Sequence, residues 1–146
     1  MKITYKGDYA LKAVLDLALH YDKGVVTIHD LAQRIDAPIK FLEQVLLDLK
    51  RGGFVESKRG KAGGYFLAKS PAQTKLGDLV RFIDGPIEPL VCVEKGYSGC
   101  KDIYKCVFRK IWREIARCTS DIIDNITFAD LAKQIKFQKE MIAYQI

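Results

Sequence analysis

The first part of the chain has apolar side chains spaced as they are on one face of an α-helix. Residues 8–21, DYALKAVLDLALHY, repeat Leu, Val and Ala at intervals of three and four, with charged side chains between them. This pattern predicts an amphipathic helix, because such spacing produces one apolar stripe along a helix with 3.6 residues per turn. Gly24 marks the end of the segment.

Two further helical patterns follow, separated by a tight turn. The segment TIHDLAQRI, at 27–35, starts with Thr27, which has an acid three residues later as in a capping box. Pro38 suits the first position of the next helix, IKFLEQVLLDLKR at 39–51, which is expected to bury Phe41 and stops at a Gly pair. A short helix, a turn and a second helix predict a helix-turn-helix.

Two short strand patterns come next, joined by a turn rich in glycine and cations. FVES at 54–57 and GYFLA at 64–68 predict the strands, and KRGKAG at 58–63 predicts the turn. A helix-turn-helix followed by a hairpin with a basic tip is the arrangement of a winged helix. We therefore predict a winged helix-turn-helix DNA-binding domain over residues 1–85, which ends with a further helix at 74–84.

A long apolar stripe lies beyond this domain. Residues 102–125 predict one helix, and its apolar side includes Ile111, Trp112, Ile115 and Ile122. A wide apolar stripe outside a compact domain suits a partner helix from a second subunit, whereas packing back on its own domain is the alternative. A last helix, TFADLAKQI, again begins with a capping pattern.

These elements predict a mainly α fold with a small β-hairpin: a winged helix-turn-helix domain plus a long C-terminal dimerisation helix. After the domain at 1–85, we assign residues 86–106 to a cysteine-bearing loop, 104–137 to dimerisation helices and 138–146 to a C-terminal tail.

Composition and charge narrow the function classes. The 146 residues are 49% hydrophobic and 29% charged, as in globular proteins, and no apolar run is long enough to span a bilayer. The N-terminal sequence lacks the apolar segment of a signal peptide, so we expect a cytoplasmic protein without membrane contact. The net charge is +6, and residues 50–69 hold six Lys or Arg against Glu56 alone. This excess indicates a polyanion partner, with a solvated surface as the alternative.

Eight side chains are candidates for contacts with DNA. Lys40, Glu43 and Gln44 lie near the N-terminal end of the second helix of the helix-turn-helix, the end that usually reaches base edges. Cations at the end of that helix and in the hairpin are expected to contact phosphates: Lys50, Arg51, Lys58, Arg59 and Lys61. No nucleophile–base pair, phosphate-binding loop or metalloprotease motif occurs, so we expect neither an enzyme nor a small-molecule substrate.

Three of the four cysteines lie in one loop. Cys92, Cys100 and Cys106 are spaced C-x7-C-x5-C. Thiolates are soft ligands that suit iron–sulfur clusters or zinc, but a structural zinc site usually has closely spaced Cys pairs and four ligands. A structural or disulfide role is the alternative. Cys118, on the long helix, is expected to be a small buried residue rather than a ligand.

In this order, the segments resemble the Rrf-type family of winged-helix transcription regulators, which includes IscR, NsrR, RirA and CymR. The likeness rests on YALKAVLDLA, on PIKFLEQVLLDLKRGGFVESKRGKAGGYFLAKSP and on IDGP before the loop. The cysteine triplet, CVFRKIWRE and ITFADL complete it. The resemblance implies a homodimer that binds a double-stranded DNA operator, and many members hold an iron–sulfur cluster on three cysteines of this loop.

The resemblance also bears on the fourth cluster ligand. One branch uses a His three residues after the third cysteine, where this chain has Arg109, and a guanidinium is no ligand. The NsrR branch uses an Asp from the first helix of the other subunit, and this chain has Asp8 there. Asp8 is therefore a candidate ligand, with helix capping as the alternative. Three Cys and one Asp favour a [4Fe–4S] over a [2Fe–2S] cluster.

We therefore expect a homodimeric DNA-binding transcription regulator, with repression as the favoured mode, that senses its signal through a loop-bound cluster. The loop spacing is similar to the iron-responsive RirA branch, whereas Asp8 is similar to NsrR, so iron or cluster status and nitric oxide or redox stress both stay open as signals. The alternative is a cluster-free winged-helix regulator controlled by thiol oxidation or by a partner protein, as in the CymR branch.

Overall fold

The chain folds into six α-helices and one two-stranded antiparallel hairpin, and the computed structural model describes all residues from 1 to 146. In chain order the elements are α1 Tyr5–Leu19, α2 Ile28–Ile35, α3 Ile39–Arg51, β1 Val55–Lys58, β2 Gly64–Leu67, α4 Leu76–Asp84, α5 Val107–Ile123 and α6 Phe128–Tyr144. The predicted class, mainly α with a small β-hairpin in a winged helix-turn-helix, is confirmed. None of the helices combines the length and the apolar character that crossing a bilayer requires.

Helix α1 lies at the centre of the domain and packs against α2, α3, α4 and α6. Its buried face consists of Ala10, Ala13, Val14 and Leu17. The small side chains on this face let the neighbouring helices approach closely, which is how interiors reach high packing density. The helix starts at Tyr5, earlier than predicted, because Thr4 caps it by accepting a hydrogen bond from the N–H of Gly7.

The helix-turn-helix is formed by α2 and α3, which are held at a fixed angle by a short turn. Thr27 caps α2 by accepting from the N–H of Asp30, as predicted. Asp36 ends α2 in the left-handed conformation, which an Asp tolerates better than most residues. The buried carboxylate of Asp16 in α1 accepts two hydrogen bonds, at 2.8 and 2.7 Å, from the guanidinium of Arg34. This bidentate pair fixes α2 against the core.

Helix α3 buries one side and leaves the other to solvent. Its fully buried side chains are Leu42, Val45, Leu46 and Leu49. The expectation that Phe41 is buried is wrong, since this ring is 38% exposed at the edge of α3 and packs against the ring of Tyr9 at a centroid distance of 5.4 Å. Helical spacing predicted the stripe, but how far α1 covers its edge depends on tertiary packing.

The hairpin forms the wing. Strands β1 and β2 pair antiparallel, with Val55 opposite Leu67 and Lys58 opposite Gly64. Val26, just before α2, adds a bridge to β2 through two backbone hydrogen bonds with Tyr65. A Cβ on Gly64 would lie 2.5 Å from the carbonyl oxygen of Val26, so the close approach requires glycine there. The wing is thereby joined to the start of the helix-turn-helix.

The start of α6 returns to the winged-helix domain. Backbone hydrogen bonds of 2.9 Å run from Leu76 N–H to Ile126 O and from Phe128 N–H to Thr74 O, which pairs the starts of α4 and α6. Phe128 has no solvent exposure and belongs to the main core. Thr127 opens α6 with a complete capping box. The first turns of α6 are therefore part of the same core as α1.

The C-terminal helices differ from the predicted boundaries. Helix α5 begins at Val107 rather than 102, because residues 101–105 form turns and Cys106 takes the N-cap position. Helix α6 continues to Tyr144, so most of the segment assigned as a tail, 138–146, is helical. No glycine or proline interrupts residues 128–144, and the chain therefore has no reason to leave the helix earlier.

We expect Phe128→Ala to lower the free energy of unfolding by about 3–5 kcal/mol, because it leaves a ring-sized cavity in the core. Urea denaturation of wild type and variant, at equal protein concentration, measures this difference. Tyr21→Ala is the matched control, since Tyr21 is a large side chain exposed at the surface, and it should change stability by no more than about 0.5 kcal/mol. Equal effects of the two substitutions would show that α6 does not contribute to the core.

Candidate nucleic-acid interface and cysteine loop

The exposed face of α3 carries the side chains expected to read bases. Lys40, Glu43 and Gln44 are all exposed and lie at helical spacing on the side opposite the buried leucines. Lys40 is not in an ion pair, nor is Glu43. The three side chains are therefore free to meet donors and acceptors of base edges in a major groove.

The wing presents cations that have no partner within the chain. Lys58, Arg59 and Lys61 are exposed at and next to the turn between β1 and β2, and none of them forms an ion pair. Unpaired cations at the tip of a hairpin suit the phosphates of a polyanion or a narrow minor groove.

The two cations at the end of α3 have local partners. Lys50 donates a hydrogen bond of 2.7 Å to the hydroxyl of Ser57 in β1, and Arg51 pairs with Asp48 at 3.2 Å. Asp48 also accepts from Lys6 at 2.6 Å, and that bond lowers the pKa of Asp48, with Arg51 adding to the effect. Lys50 therefore links α3 to the wing, and the charge of Arg51 is already partly compensated by Asp48.

The three loop cysteines are free thiols with different surroundings. Cys92 lies in a single 3-10 turn at Val91–Val93 and is half-buried, Cys100 is exposed, and Cys106 is half-buried at the N-cap of α5. No three or more His, Cys, Asp or Glu side chains form a group that could hold a metal ion within the single chain. The donor chemistry fits a soft metal centre, while the ligand set is not assembled by one subunit alone.

Asp8 lies in the first turn of α1 and does not cap it, since Thr4 has that role. The capping alternative for Asp8 is therefore wrong, although a carboxylate in the first turn still interacts favourably with the helix dipole. Asp8 is half-exposed and pairs with Lys12 at 2.6 Å, a hydrogen bond that raises the pKa of Lys12. To bind a metal, Asp8 would have to leave this surface ion pair.

Arg109 holds the loop against α5. Its Nε donates a hydrogen bond of 2.9 Å to the backbone carbonyl of Cys92. From the sequence, Arg109 was noted only because it stands where one branch of the family has a His ligand. No pattern of residue types could identify a backbone carbonyl as its partner. The bond joins the first cysteine of the loop to the helix that starts after the third.

The apolar side of α5 faces solvent in the single chain. Ile111, Ile115 and Ile122 are 52%, 44% and 62% exposed, and Trp112 is half-buried. Ile123 is the one buried residue of this helix. The alternative, in which this stripe packs on its own domain, is wrong. An exposed apolar stripe of this length is typical of an interaction surface.

Cys118 is exposed, so the expectation that it is a buried residue is wrong. It lies on α5 with its sulfur 3.9 Å from a carboxylate oxygen of Glu114, which also pairs with Arg117. The apolar spacing included Cys118 in the stripe, but α5 stands away from the core along most of its length.

Comparison with known proteins gives similarities over nearly the whole chain. The profile of the family described as "Rrf2: Iron-dependent Transcriptional regulator" matches residues 3–134. An rrf2-like HTH-type transcriptional regulator of Rhodobacter capsulatus is 41% identical over 136 residues, which cover 88% of this chain and 91% of that protein. The HTH-type transcriptional regulator IscR of Erwinia tasmaniensis is 35% identical over 131 residues, covering 90% and 78%. The structure of CymR, the global cysteine regulator of B. subtilis, superimposes with a TM-score of 0.78 and 30% identity, covering 92% and 98%.

We expect Arg59→Ala to weaken binding to every duplex sequence. The loss should be accompanied by a decrease of about 1 in the slope of log affinity against log salt for each phosphate contact removed. Fluorescence anisotropy with a random duplex and with a duplex selected for tight binding, each at several salt concentrations, measures both effects. Lys139→Ala is the control, because it removes an exposed cation from the distal part of α6. An Arg59→Ala variant with wild-type affinity and salt slope would contradict the assignment of the wing.

Proposed function

The chain belongs to the Rrf2 family of helix-turn-helix transcriptional regulators, and we propose that it is a homodimer whose affinity for an operator depends on an iron–sulfur cluster. The family and the relatives are transcription regulators rather than enzymes. One observation carries the proposal: a winged helix-turn-helix with unpaired cations is followed directly by a loop that holds three free thiols. The place of action is the reducing cytoplasm, where such thiols stay unpaired.

Cys92, Cys100 and Cys106 are the residues that would hold the cluster. All three are free of disulfides, and thiolates are the usual protein ligands of iron–sulfur clusters. Cys106 sits at the N-cap of a helix of 17 residues, and the positive end of that helix dipole favours negative charge there. When bound, the cluster would supply iron that can be lost or oxidised, which makes the loop responsive to iron supply, nitric oxide or oxygen.

The fourth ligand is proposed to be the partner subunit's Asp8. Within one chain neither Asp8 nor the three cysteines gather into a metal-binding group, so the proposal requires that the loop closes when the cluster binds and that a second copy supplies Asp8. The surface around Asp8 supports such a contact, because Ile3 and Tyr5 are exposed beside it and an open cleft runs from Lys2 to Asp8. Three thiolates with one carboxylate favour a [4Fe–4S] cluster, and the weaker oxygen ligand is the one expected to exchange first.

The homodimer is supported by the uncovered side of α5. A stripe of isoleucines together with Val107 and Phe108 would bury substantial apolar area against a second copy of the same helix. Dimers of helix-turn-helix proteins contact two half-sites about one helical turn of DNA apart or a multiple of that distance. A change in the relative orientation of the subunits therefore changes operator affinity, and repression is the mode that we favour.

A second candidate is a cluster-free regulator that responds through thiol oxidation or through a partner protein. Two observations favour it: one chain does not assemble a metal-binding group, and the fold is similar to that of CymR, the global cysteine regulator of B. subtilis. In this case Cys100, which is exposed, is the thiol most accessible to oxidants.

Cluster removal distinguishes the two candidates. Protein purified without oxygen from iron-replete cells should contain about four iron and four sulfide per subunit for [4Fe–4S], or about two of each for [2Fe–2S]. Treatment with a chelator should change operator affinity by about tenfold, a typical coupling between two sites. Asp8→Asn should speed iron loss, whereas Asp22→Asn, an exposed acid outside α1, should not. Protein free of iron and sulfide that binds its operator as before would exclude the cluster.

Ile115→Glu tests the dimer. We expect it to raise the dimer dissociation constant by about a hundredfold or more, because each subunit would bury an unpaired carboxylate at a symmetric interface. Analytical ultracentrifugation over a range of concentrations measures this constant. Tyr21→Glu places the same charge at an exposed aromatic position on another surface and should leave the constant unchanged. Wild-type association of the Ile115 variant would rule out this side of α5 as the interface.

A further inference from the structure

We propose that Arg109 is a positioning residue that fixes the backbone of Cys92 beside the first turn of α5, so that the first and third cysteines of the loop are held at one end of that helix. The role rests on the proposed cluster function. It is carried by one contact, the hydrogen bond of 2.9 Å that Arg109 Nε donates to the carbonyl oxygen of Cys92.

The position of Arg109 along the helix makes this contact effective. Cys106 is the N-cap of α5 and Arg109 is its third helical residue, so Arg109 lies within one turn of the third cysteine. The 3-10 turn that carries Cys92 is stabilised by two further backbone bonds of 3.1 Å, from Val93 to Leu90 and from Glu94 to Val91. Apart from Arg109, the side chains of the chain make no hydrogen bond to this turn.

The contact also lowers the entropic cost of assembling the ligands. It closes the loop between Cys92 and Arg109, which are 17 positions apart in the sequence. An open segment of that length would have to be closed when the cluster binds, and closure before binding removes that cost from the binding step. The middle cysteine, Cys100, is exposed and lies between the two ends that this contact joins.

Substitution of a neighbouring cation separates the effect of the Arg109 charge from the effect of its hydrogen bond. Lys110, Arg113 and Arg117 lie with Arg109 along one open cleft that also contains Cys106. None of these three donates to the loop, and Arg117 is paired with Glu114. Arg113→Ala therefore removes a positive charge from the same cleft, one turn away, without removing a bond to the loop.

The chemistry of the guanidinium suits this role better than an ammonium would. The planar Arg fork directs its Nε–H along a fixed line, whereas a Lys ammonium is a strongly hydrated point charge on a flexible stem. Arg109→Lys therefore keeps the charge but loses most of the orientation. Because Arg109 is half-buried at the surface, its substitution is not expected to disturb folding.

The first test uses iron-free protein and measures amide hydrogen exchange in a peptide covering residues 90–94. Arg109→Ala should speed this exchange by roughly tenfold, which is the effect of losing one hydrogen bond from a charged donor at a partly exposed site. Arg109→Lys should give an intermediate value, and Arg113→Ala should match wild type. Unchanged exchange in Arg109→Ala, or an equal increase in Arg113→Ala, would overturn the inference.

The second test uses protein isolated anaerobically with its iron and measures the rate of iron loss to a chelator together with visible circular dichroism. Arg109→Ala should lose iron several times faster and show an altered spectrum, while the melting temperature and the DNA affinity of the iron-free protein stay at wild-type values. If wild type contains iron and the Arg109 variants lose it at the wild-type rate with an unchanged spectrum, this inference alone is overturned. Absence of iron from wild type would instead overturn the proposed function, and the role of Arg109 with it.

Discussion

The carboxylate of Asp84 fixes the N-terminal end of α1 to the C-terminal end of α4, and this contact connects the helix that carries Asp8 with the helix that leads into the cysteine loop. Asp84 accepts a hydrogen bond of 3.2 Å from the backbone N–H of Thr4 and another from its hydroxyl, while the same hydroxyl caps α1. The approach is possible because residue 7 is glycine: a Cβ there would lie 2.0 Å from Asp84 Oδ2. Asp84 is also the last residue of α4, and Gly85 alone separates it from the cysteine loop. The Thr4–Asp84 contact therefore connects the helix that carries Asp8 with the start of the loop.

Helix α4 also contacts α5 and the wing. Arg81 forms a bidentate pair with Asp124 at the end of α5, with one bond of 3.0 Å, and its guanidinium also reaches Ser120. One residue later, Phe82 packs on Phe54 at the start of the wing, with ring centroids 5.4 Å apart. Three positions within the last four residues of one short helix thus contact α5, the wing and α1. A rotation of α5 would reach the DNA-reading surface through packed side chains rather than through a flexible linker.

Local signals in the sequence were sufficient for the elements of the domain and insufficient for its long-range contacts. The stripes of α1 to α4, the Thr27 cap and the glycine-rich wing turn follow from spacing and residue type, because each is decided within a few residues. The exposure of Phe41 and Cys118 was predicted wrongly, since spacing identifies an apolar side but not what covers it. The bonds of Arg109 and Asp84 run to backbone groups 17 and 80 residues away, and no residue pattern encodes a backbone partner. IDGP contains Asp84, yet its bond to Thr4 emerges only when α1 and α4 are packed together.

In the single chain, an apolar side of α5 is uncovered and no metal-binding group is complete. The proposed dimer would change both features. The isoleucines of α5 leave apolar area in water, which is unfavourable at about 25 cal/mol per Å². The three thiols do not form a metal-binding group within the single chain, and Asp8 is paired with Lys12. If dimer formation covers the isoleucines of α5 and also supplies Asp8 as a ligand, cluster occupancy and subunit geometry cannot vary independently. Loss of the cluster would then remove the proposed contact of Asp8 across the dimer, and α1, which carries Asp8, packs directly against α3. A regulator built in this way would need no separate signalling domain, because the helix proposed to complete the metal site also forms the core that supports α3.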